Sequence, residues 1–172
     1  MMKTGKGPRA AGSAVVTLPA DTQILITRDF DAPARLIYKA YTTPELVKRW
    51  WHANRGTCTS TEIDLRVGGK WRWVMVTDSG FEVAFHGEYR EIVPNERLVY
   101  TEVYEGAPLA ADGREEAAVN TLTFVEIDGR TRVTTLTETR TKEVRDMIIN
   151  SGMEGGMQDA FDLLEQVAQS LA

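Results

Sequence analysis

The stretch SGMEGGMQDAFDLLEQVAQSLA, residues 151–172, decides the fold. Beyond a break at Ser151 and Gly152, apolar side chains recur at the spacing of one helical face. These side chains are Met153, Met157, Ala160, Phe161, Leu164, Val167, Ala168 and Leu171. The pattern predicts a long amphipathic C-terminal helix, which needs an apolar surface to lie on because packing supplies most of the stability of such a helix.

Strand patterns earlier in the chain supply that surface. Turn sequences such as VGG, DSG and IDG separate the strand segments, and links this short favour antiparallel pairing. The segments are 23–30, 59–66, 69–78, 81–93, 96–105, 117–128 and 130–140. We therefore predict an α+β fold, in which a curved antiparallel sheet of about six or seven strands wraps around the long C-terminal helix.

Two short helices are predicted after the first strand. In DAPARLIYKAY, Asp31 is the expected N-cap and Pro33 lies in the first turn. In PELVKRWW, Thr43 is the expected cap and Trp50 lies on the apolar face. We expect this pair to close one end of the sheet. The segment KEVRDMIIN predicts a further short helix before the long one.

Length and charge limit the possible functions. The 172 residues fit one domain, predicted at residues 22–172 after an N-terminal tail at residues 1–21. The formal charge is −5, and no basic run indicates a nucleic-acid partner. No apolar run approaches the ~20 residues of a membrane span, and a signal peptide is the weaker interpretation of the N-terminal segment. We expect a cytoplasmic protein, and a homodimer stays open as an alternative.

The residues that most often bind metals are few. Cys58 is the single cysteine, and His52 and His86 are the two histidines. One cysteine allows no intrachain disulfide, and the three residues lack the spacing of a zinc site. His86 shares its strand register with Glu82 and Glu88, which favours a solvated face over a catalytic role. We predict no metal, no cofactor and no catalytic residue.

Aromatic residues alternate along two neighbouring strand segments. In GKWRWVMV, residues 69–76, alternation sends Trp71, Trp73 and Met75 to one face. The next segment adds Phe81, Val83, Phe85 and Tyr89, all of which fall on one side of an alternating strand. For any single ring, packing in an ordinary core is the more frequent outcome. Together the two rows favour the wall of a pocket, because rigid rings seldom fill all the space beside a gripped helix.

The candidate ligand-binding residues come from this face, from the helices against it and from strand positions able to point inward. They are Trp50, Trp71, Trp73, Met75, Phe85, Tyr89, Tyr100, Glu102, Met157 and Phe161. Asn120 and Arg140 are further polar side chains that could point inward. A carboxylate in such a cavity would have a raised pKa and could shuttle a proton, although pairing of Glu102 with a neighbouring Arg is the more frequent outcome.

The chain also contains, in order, DAPARLIYKAYTTPELVKRWW, GGKWRWVM, HGEYREIVPNERLVYTE and SGMEGGMQDAFDLLEQV. This series resembles bacterial homologues of the C-terminal domain of chaperone ATPase activators, the activator of heat-shock-protein-90 ATPase homologue-like family. That family belongs to the START-like (SRPBCC) helix-grip superfamily. The resemblance covers roughly residues 22–171 and implies a helix-grip fold with an internal, largely apolar cavity.

Three functions are compatible with these observations, because one fold hosts many activities. The first is binding of a small apolar or aromatic ligand, such as a lipid-like molecule. The second is an enzyme of the polyketide cyclase or hydrolase type, favoured if His86 or Glu102 points inward, near a second polar group and without an ion-pair partner. The third is a co-chaperone-like regulator of a heat-shock ATPase. We rank it last, because too few residues precede Gln23 for the activators' other domain, and a weak surface contact with a chaperone stays open.

Overall fold

Eight antiparallel strands form one curved sheet in the computed structural model, which describes residues 13–172. The strands are β1 (Val15–Thr17), β2 (Gln23–Phe30), β3 (Gly56–Ile63), β4 (Lys70–Thr77), β5 (Glu82–Val93), β6 (Arg97–Glu105), β7 (Ala117–Ile127) and β8 (Arg130–Glu138). Their order across the sheet is β1-β2-β8-β7-β6-β5-β4-β3. Most neighbours are therefore consecutive in sequence, as the short turns predict.

Four helices accompany the sheet within the described residues. They are α1 (Ala34–Thr42), α2 (Pro44–Val47), α3 (Lys142–Ile149) and α4 (Met153–Ser170). Thr43 precedes α2 as its N-cap, with Pro44 in the first helical position. Gly152, with φ of 82°, separates α3 from α4 in a left-handed conformation that glycine adopts without steric cost. The two helices after the first long strand and the long C-terminal helix are thus confirmed.

The strand register gives the sheet two distinct faces. One row of directly paired residues crosses five strands, namely Ile24, Thr137, Asn120, Tyr100 and Tyr89. Residues that face each other in an antiparallel pair point to the same side of the sheet. This row belongs to the concave face, which α4 covers. The intervening positions form the convex face.

Arg28 fixes α4 on the concave face. Its guanidinium is 1% exposed and pairs with Asp162 at 2.9 Å and with Glu165 at 3.3 Å, both on α4. The same group lies 4.7 Å from the centre of the Phe30 ring, and Phe30 meets Phe161 of α4 edge to face. A buried cation is tolerated because it is paired and hydrogen-bonded. The polar contacts therefore fix where the apolar stripe of α4 lies.

Three local differences from the sequence-based predictions stand out. The strand count exceeds six or seven because β1 lies within the predicted tail 1–21, where three residues are too few to show alternation; residues 1–12 of that tail lie outside the described part. Helix α1 has Pro33 as its N-cap, so the prediction of Asp31 was wrong. Trp50 lies beyond the end of α2, in the turns that lead to β3.

Candidate functional site

A continuous series of aromatic contacts covers the concave face near β4, β5 and β6. The ring of Trp73 lies 5.2 Å from Trp71 and 5.7 Å from Trp51, measured between ring centres. Trp71 in turn meets Tyr100 at 5.7 Å. We call this set the aromatic wall; its members are Trp50, Trp51, Trp71, Trp73, Phe85, Tyr89 and Tyr100. Most of its pairs meet edge to face, the geometry that aromatic quadrupoles favour.

Two tryptophans of the wall are core residues. The Trp71 ring is 4% exposed, and its N–H donates to the carbonyl oxygen of Thr101 at 3.2 Å. The Trp50 ring is 3% exposed, and its N–H donates to the carbonyl oxygen of Ala40 at 2.9 Å. A buried indole whose N–H is paired requires no ligand. These two rings therefore set the shape of the wall.

Trp73 differs from both. Trp73 is only partly buried, yet its indole nitrogen is buried and has no hydrogen-bond partner among residues 13–172. A buried donor without a partner costs free energy, roughly 1–3 kcal/mol, unless something else accepts its hydrogen bond. Phe85, which pairs with Trp73 across β4 and β5, is also partly accessible. This part of the wall is therefore the most suited to contact a bound molecule.

A polar chain lies beside the wall on the same concave face. The Thr137 hydroxyl donates to Asn120 Oδ1 at 2.6 Å, and the Asn120 amide donates to Glu102 Oε1. Glu102 follows Tyr100 by two positions on β6, so both point to the concave side. Among the described residues, no Arg or Lys pairs with Glu102. The expectation that an Arg would neutralise this carboxyl group was therefore wrong.

Burial changes the acidity of the groups around this chain. Desolvation raises the pKa of Glu102, and the hydrogen bond from Asn120 lowers it by less. Desolvation, together with the nearby Glu102 carboxyl group, raises the pKa of Tyr100 well above its usual range. Burial therefore disfavours the charged form of each group.

The remaining candidate residues lie in the aromatic wall or beside it. Met75 is buried and pairs with Cys58 across β3 and β4. Tyr89 is buried and meets Tyr100 with 6.1 Å between ring centres. On α4, Met157 packs against the core while staying partly accessible, and Phe161 is buried against Phe30. The structure thus brings the predicted residues to one side of the sheet, which leaves their role in ligand binding as a prediction.

Two expectations about inward-pointing side chains were wrong. Phe81 lies at the tip of the turn between β4 and β5 and is 71% exposed. Arg140 follows β8 and pairs with Asp112 and Glu116 at the surface. Alternation applies only within a strand, and both residues lie just outside one.

His86 lies on the convex face, as the solvated-face interpretation requires. Its ring nitrogens contact Glu105 at 2.7 Å and Glu115 at 3.3 Å, and Arg72 also pairs with Glu105 at 2.8 Å. Arg72, and secondarily His86, lower the pKa of Glu105 to about 2. The loop between β6 and β7 crosses this surface and encloses a half-open cavity of about 420 Å³, which is lined by His86, Val103 and Glu105, among others.

The other chemistry-bearing residues have structural explanations. His52 Nδ1 accepts a hydrogen bond from the backbone N–H of Asn54 at 3.0 Å. Burial raises the pKa of Cys58 to about 11, so its thiol stays protonated at neutral pH and is a poor nucleophile. Within residues 13–172, no group of three His, Cys, Asp or Glu side chains is arranged to hold a metal ion.

Sequence reasoning missed two features of the site. Arg28 is charged, which is typical of surface residues. Only its place in the alternating pattern of buried residues on β2 indicates that it points inward. Thr137 completes the polar chain, but one threonine on a strand gives no signal of a partner. Both become visible only when the register is known.

Comparison with known proteins identifies the relatives of the chain. The sequence profile described as "Activator of Hsp90 ATPase homolog 1-like protein" matches residues 31–169. A search of curated proteins gave no match. Among the described residues, no helix combines the length and apolar character needed to cross a membrane.

Solved structures share the fold. A crystal structure from Rhodobacter sphaeroides, at 22% identity, has a TM-score of 0.82 and covers 93% of this chain and 100% of its own. A Mycobacterium smegmatis protein at 22% identity has a TM-score of 0.78, with coverage of 92% and 99%. A Nitrosomonas europaea protein at 22% identity has a TM-score of 0.76, with coverage of 89% and 97%. These likenesses confirm the helix-grip architecture.

Proposed function

The chain belongs to the family of Activator of Hsp90 ATPase homolog 1-like proteins, and from that premise we propose that it binds a small apolar or aromatic molecule between the concave face and α4. The observation that carries the proposal is the contrast within the aromatic wall. Trp50 and Trp71 are buried with paired N–H groups, whereas Trp73 is partly accessible and its N–H has no partner in the part of the chain that the structure describes.

Other residues of the concave side support the same interpretation. Phe85, Tyr100 and Met157 come from three different elements, and each is only partly buried. Apolar surface that stays accessible within a fold gains stability when a ligand covers it, at about 25 cal/mol per Å². Ligand sites typically combine such a lining with a few polar groups, and Glu102 and Asn120 provide them here.

Native mass spectrometry of the purified protein tests this proposal, followed by solvent extraction of any retained molecule. The expected result is an apolar small molecule bound one to one. Trp73→Ala should then weaken retention, and Phe81→Ala is the matched control, because Phe81 is an exposed aromatic residue away from the wall. An empty protein that shows no thermal shift with a panel of lipids and aromatic compounds would contradict the proposal.

A second candidate function is catalysis in the same space, and Glu102 is the observation that favours it. This carboxyl group points to the concave side, contacts Asn120 and lacks a cationic partner among the described residues. A buried carboxyl group with a raised pKa can act as a general acid or base near neutral pH. Conversion of a bound ester or polyketide-like molecule by the wild-type protein, and its loss in Glu102→Gln with binding retained, would establish this function.

The family description favours a third function, regulation of an Hsp90 ATPase through the protein surface. A pull-down with a bacterial chaperone of this class, followed by measurement of its ATPase rate, tests it. Stimulation that survives Trp73→Ala would place this activity on the surface instead of in the interior.

A further inference from the structure

The hydrogen bonds of the polar chain run in one direction. The Thr137 hydroxyl donates to the oxygen of the Asn120 side chain, which turns the Asn120 amide nitrogen towards Glu102. Asn120 therefore reaches Glu102 only as a donor, and Glu102 is the acceptor at the end of the chain. The carboxyl oxygen lone pairs that Asn120 does not use therefore remain for another hydrogen-bond donor.

Glu102 keeps unused accepting capacity. An ionised carboxyl group offers about four acceptor sites, and within residues 13–172 the side chain of Asn120 supplies the one hydrogen bond that Glu102 receives. Glu102 is partly accessible, so another group can still reach it. Its surroundings on the concave face include the Tyr100 ring and no Lys or Arg partner from the described part of the chain. An acceptor with unused capacity in such surroundings is stabilised by a hydrogen-bond donor from a ligand.

We infer that the ligand is an apolar molecule carrying a hydroxyl or amine group, which donates a hydrogen bond to Glu102, and that the site selects against carboxylates. This inference rests on the proposed binding function and adds the class of ligand. A ligand carboxylate would lie against a second carboxyl group in a poorly solvated space, which is unfavourable for both. A hydrocarbon would leave the accepting capacity of Glu102 unused.

Two matched series of compounds test the inference. The first is decanol, decylamine, decanoate and decane; the second is 2-naphthol, 2-naphthylmethylamine, 2-naphthoate and naphthalene. Binding is followed by tryptophan fluorescence and by thermal shift. We expect the alcohol and the amine to bind at least about tenfold more tightly than the carboxylate with the same skeleton. Alcohols and amines together define the donor class, and their relative affinities show which donor Glu102 prefers.

Three variants separate Glu102 from general effects on the fold. In Glu102→Gln, the preference for alcohol and amine over carboxylate should fall to about threefold or less. Thr137→Val should weaken the preference as well, because it removes the donor that orients Asn120. Glu105→Gln is the control, since Glu105 lies on the same strand but belongs to the convex face. It should leave the preference unchanged.

The possible outcomes separate a failure of this inference from a failure of the proposed binding function. Equal binding of all compounds on one skeleton, or tighter binding of the carboxylates, would overturn the donor inference while leaving apolar binding intact. A preference that survives Glu102→Gln in a folded protein would also overturn it. If no compound of either series binds and none is retained on purification, the proposed function fails and the inference fails with it.

Discussion

The indole N–H of Trp71 donates to the backbone carbonyl of Thr101 at 3.2 Å, although strand β5 lies between the strands that carry these two residues. Gly87 makes this contact possible. A Cβ atom at Gly87 would lie 1.7 Å from the carbonyl oxygen of Thr101 and 2.6 Å from the indole nitrogen of Trp71. Strand β5 must therefore have a glycine where the Trp71 ring crosses it.

Gly87→Ala should consequently destabilise the protein by about 2 kcal/mol or more, because the new methyl group meets backbone that cannot move aside cheaply. Urea denaturation measures the effect. The control is Gly156→Ala, where a Cβ atom meets nothing within 4 Å. Gly156 lies inside α4, so this change should stabilise by about 0.5–1 kcal/mol. Equal effects of the two substitutions would show that Gly87 has no special role.

We expect the largest loss of stability from a charge change when Arg28 loses the carboxylates that pair with it. The double variant Asp162→Asn with Glu165→Gln leaves a buried cation unpaired and should cost roughly 3–5 kcal/mol. Asp162→Asn alone should cost less than about 1 kcal/mol, because Asp162 is 52% exposed and Glu165 remains paired. Thermal or urea unfolding gives both values. A double variant as stable as the single one would mean that Arg28 does not depend on these carboxylates.

Glu102 should make the protein less stable as the pH rises, which is the opposite of the usual effect of a carboxyl group. Because burial raises its pKa in the folded state above the ordinary value of 4.5, the unfolded chain releases its proton first as the pH rises. The folded wild type therefore loses stability relative to Glu102→Gln as the pH rises above about 4.5, and the loss stops once Glu102 itself ionises. Urea unfolding of both proteins from about pH 4 to about pH 8 measures the difference. A difference independent of pH would contradict the raised pKa.

Glu105 should show the opposite dependence, although it lies only three positions further along the same strand. Arg72, and secondarily His86, lower its pKa to about 2 in the folded state. Its ionised form thus stabilises the fold above the ordinary pKa of 4.5, and this contribution is lost as the pH falls towards about 2. Glu105→Gln should be less stable than wild type at neutral pH and approach it in acid. A gap that widens on acidification would refute the assignment.

Most of the fold could be predicted from the sequence, because its long helices and strands show clear hydrophobic periodicity. The stripe from Met153 to Leu171 predicts α4, and alternation in GKWRWVMV predicts β4 with Trp71 and Trp73 on one face. Periodicity fails where elements are short or end, which explains the unpredicted strand Val15–Thr17 and the exposed Phe81. In each case the pattern covers too few residues to decide between conformations.

The candidate site could be predicted only in part from the sequence. Trp73 and Glu102 were recognisable as candidates from their positions on strands, but the sequence does not show that Trp50 and Trp71 have paired N–H groups. Nor does it show that, within residues 13–172, the partner of Glu102 is Asn120 instead of an arginine. Such contacts depend on the register between distant strands, and register is a property of the folded sheet.

The most direct test of ligand binding between the sheet and α4 is a titration of protein labelled with ¹³C at its methionine methyl groups. Met157 lies on α4 against the core, whereas Met147 on α3 is 55% exposed and serves as an internal reference. With decanol or the extracted molecule as ligand, we expect the Met157 resonance to shift in proportion to binding while Met147 stays unchanged. Binding that shifts Met147 but not Met157, or that shifts neither, would place the ligand elsewhere and contradict the account.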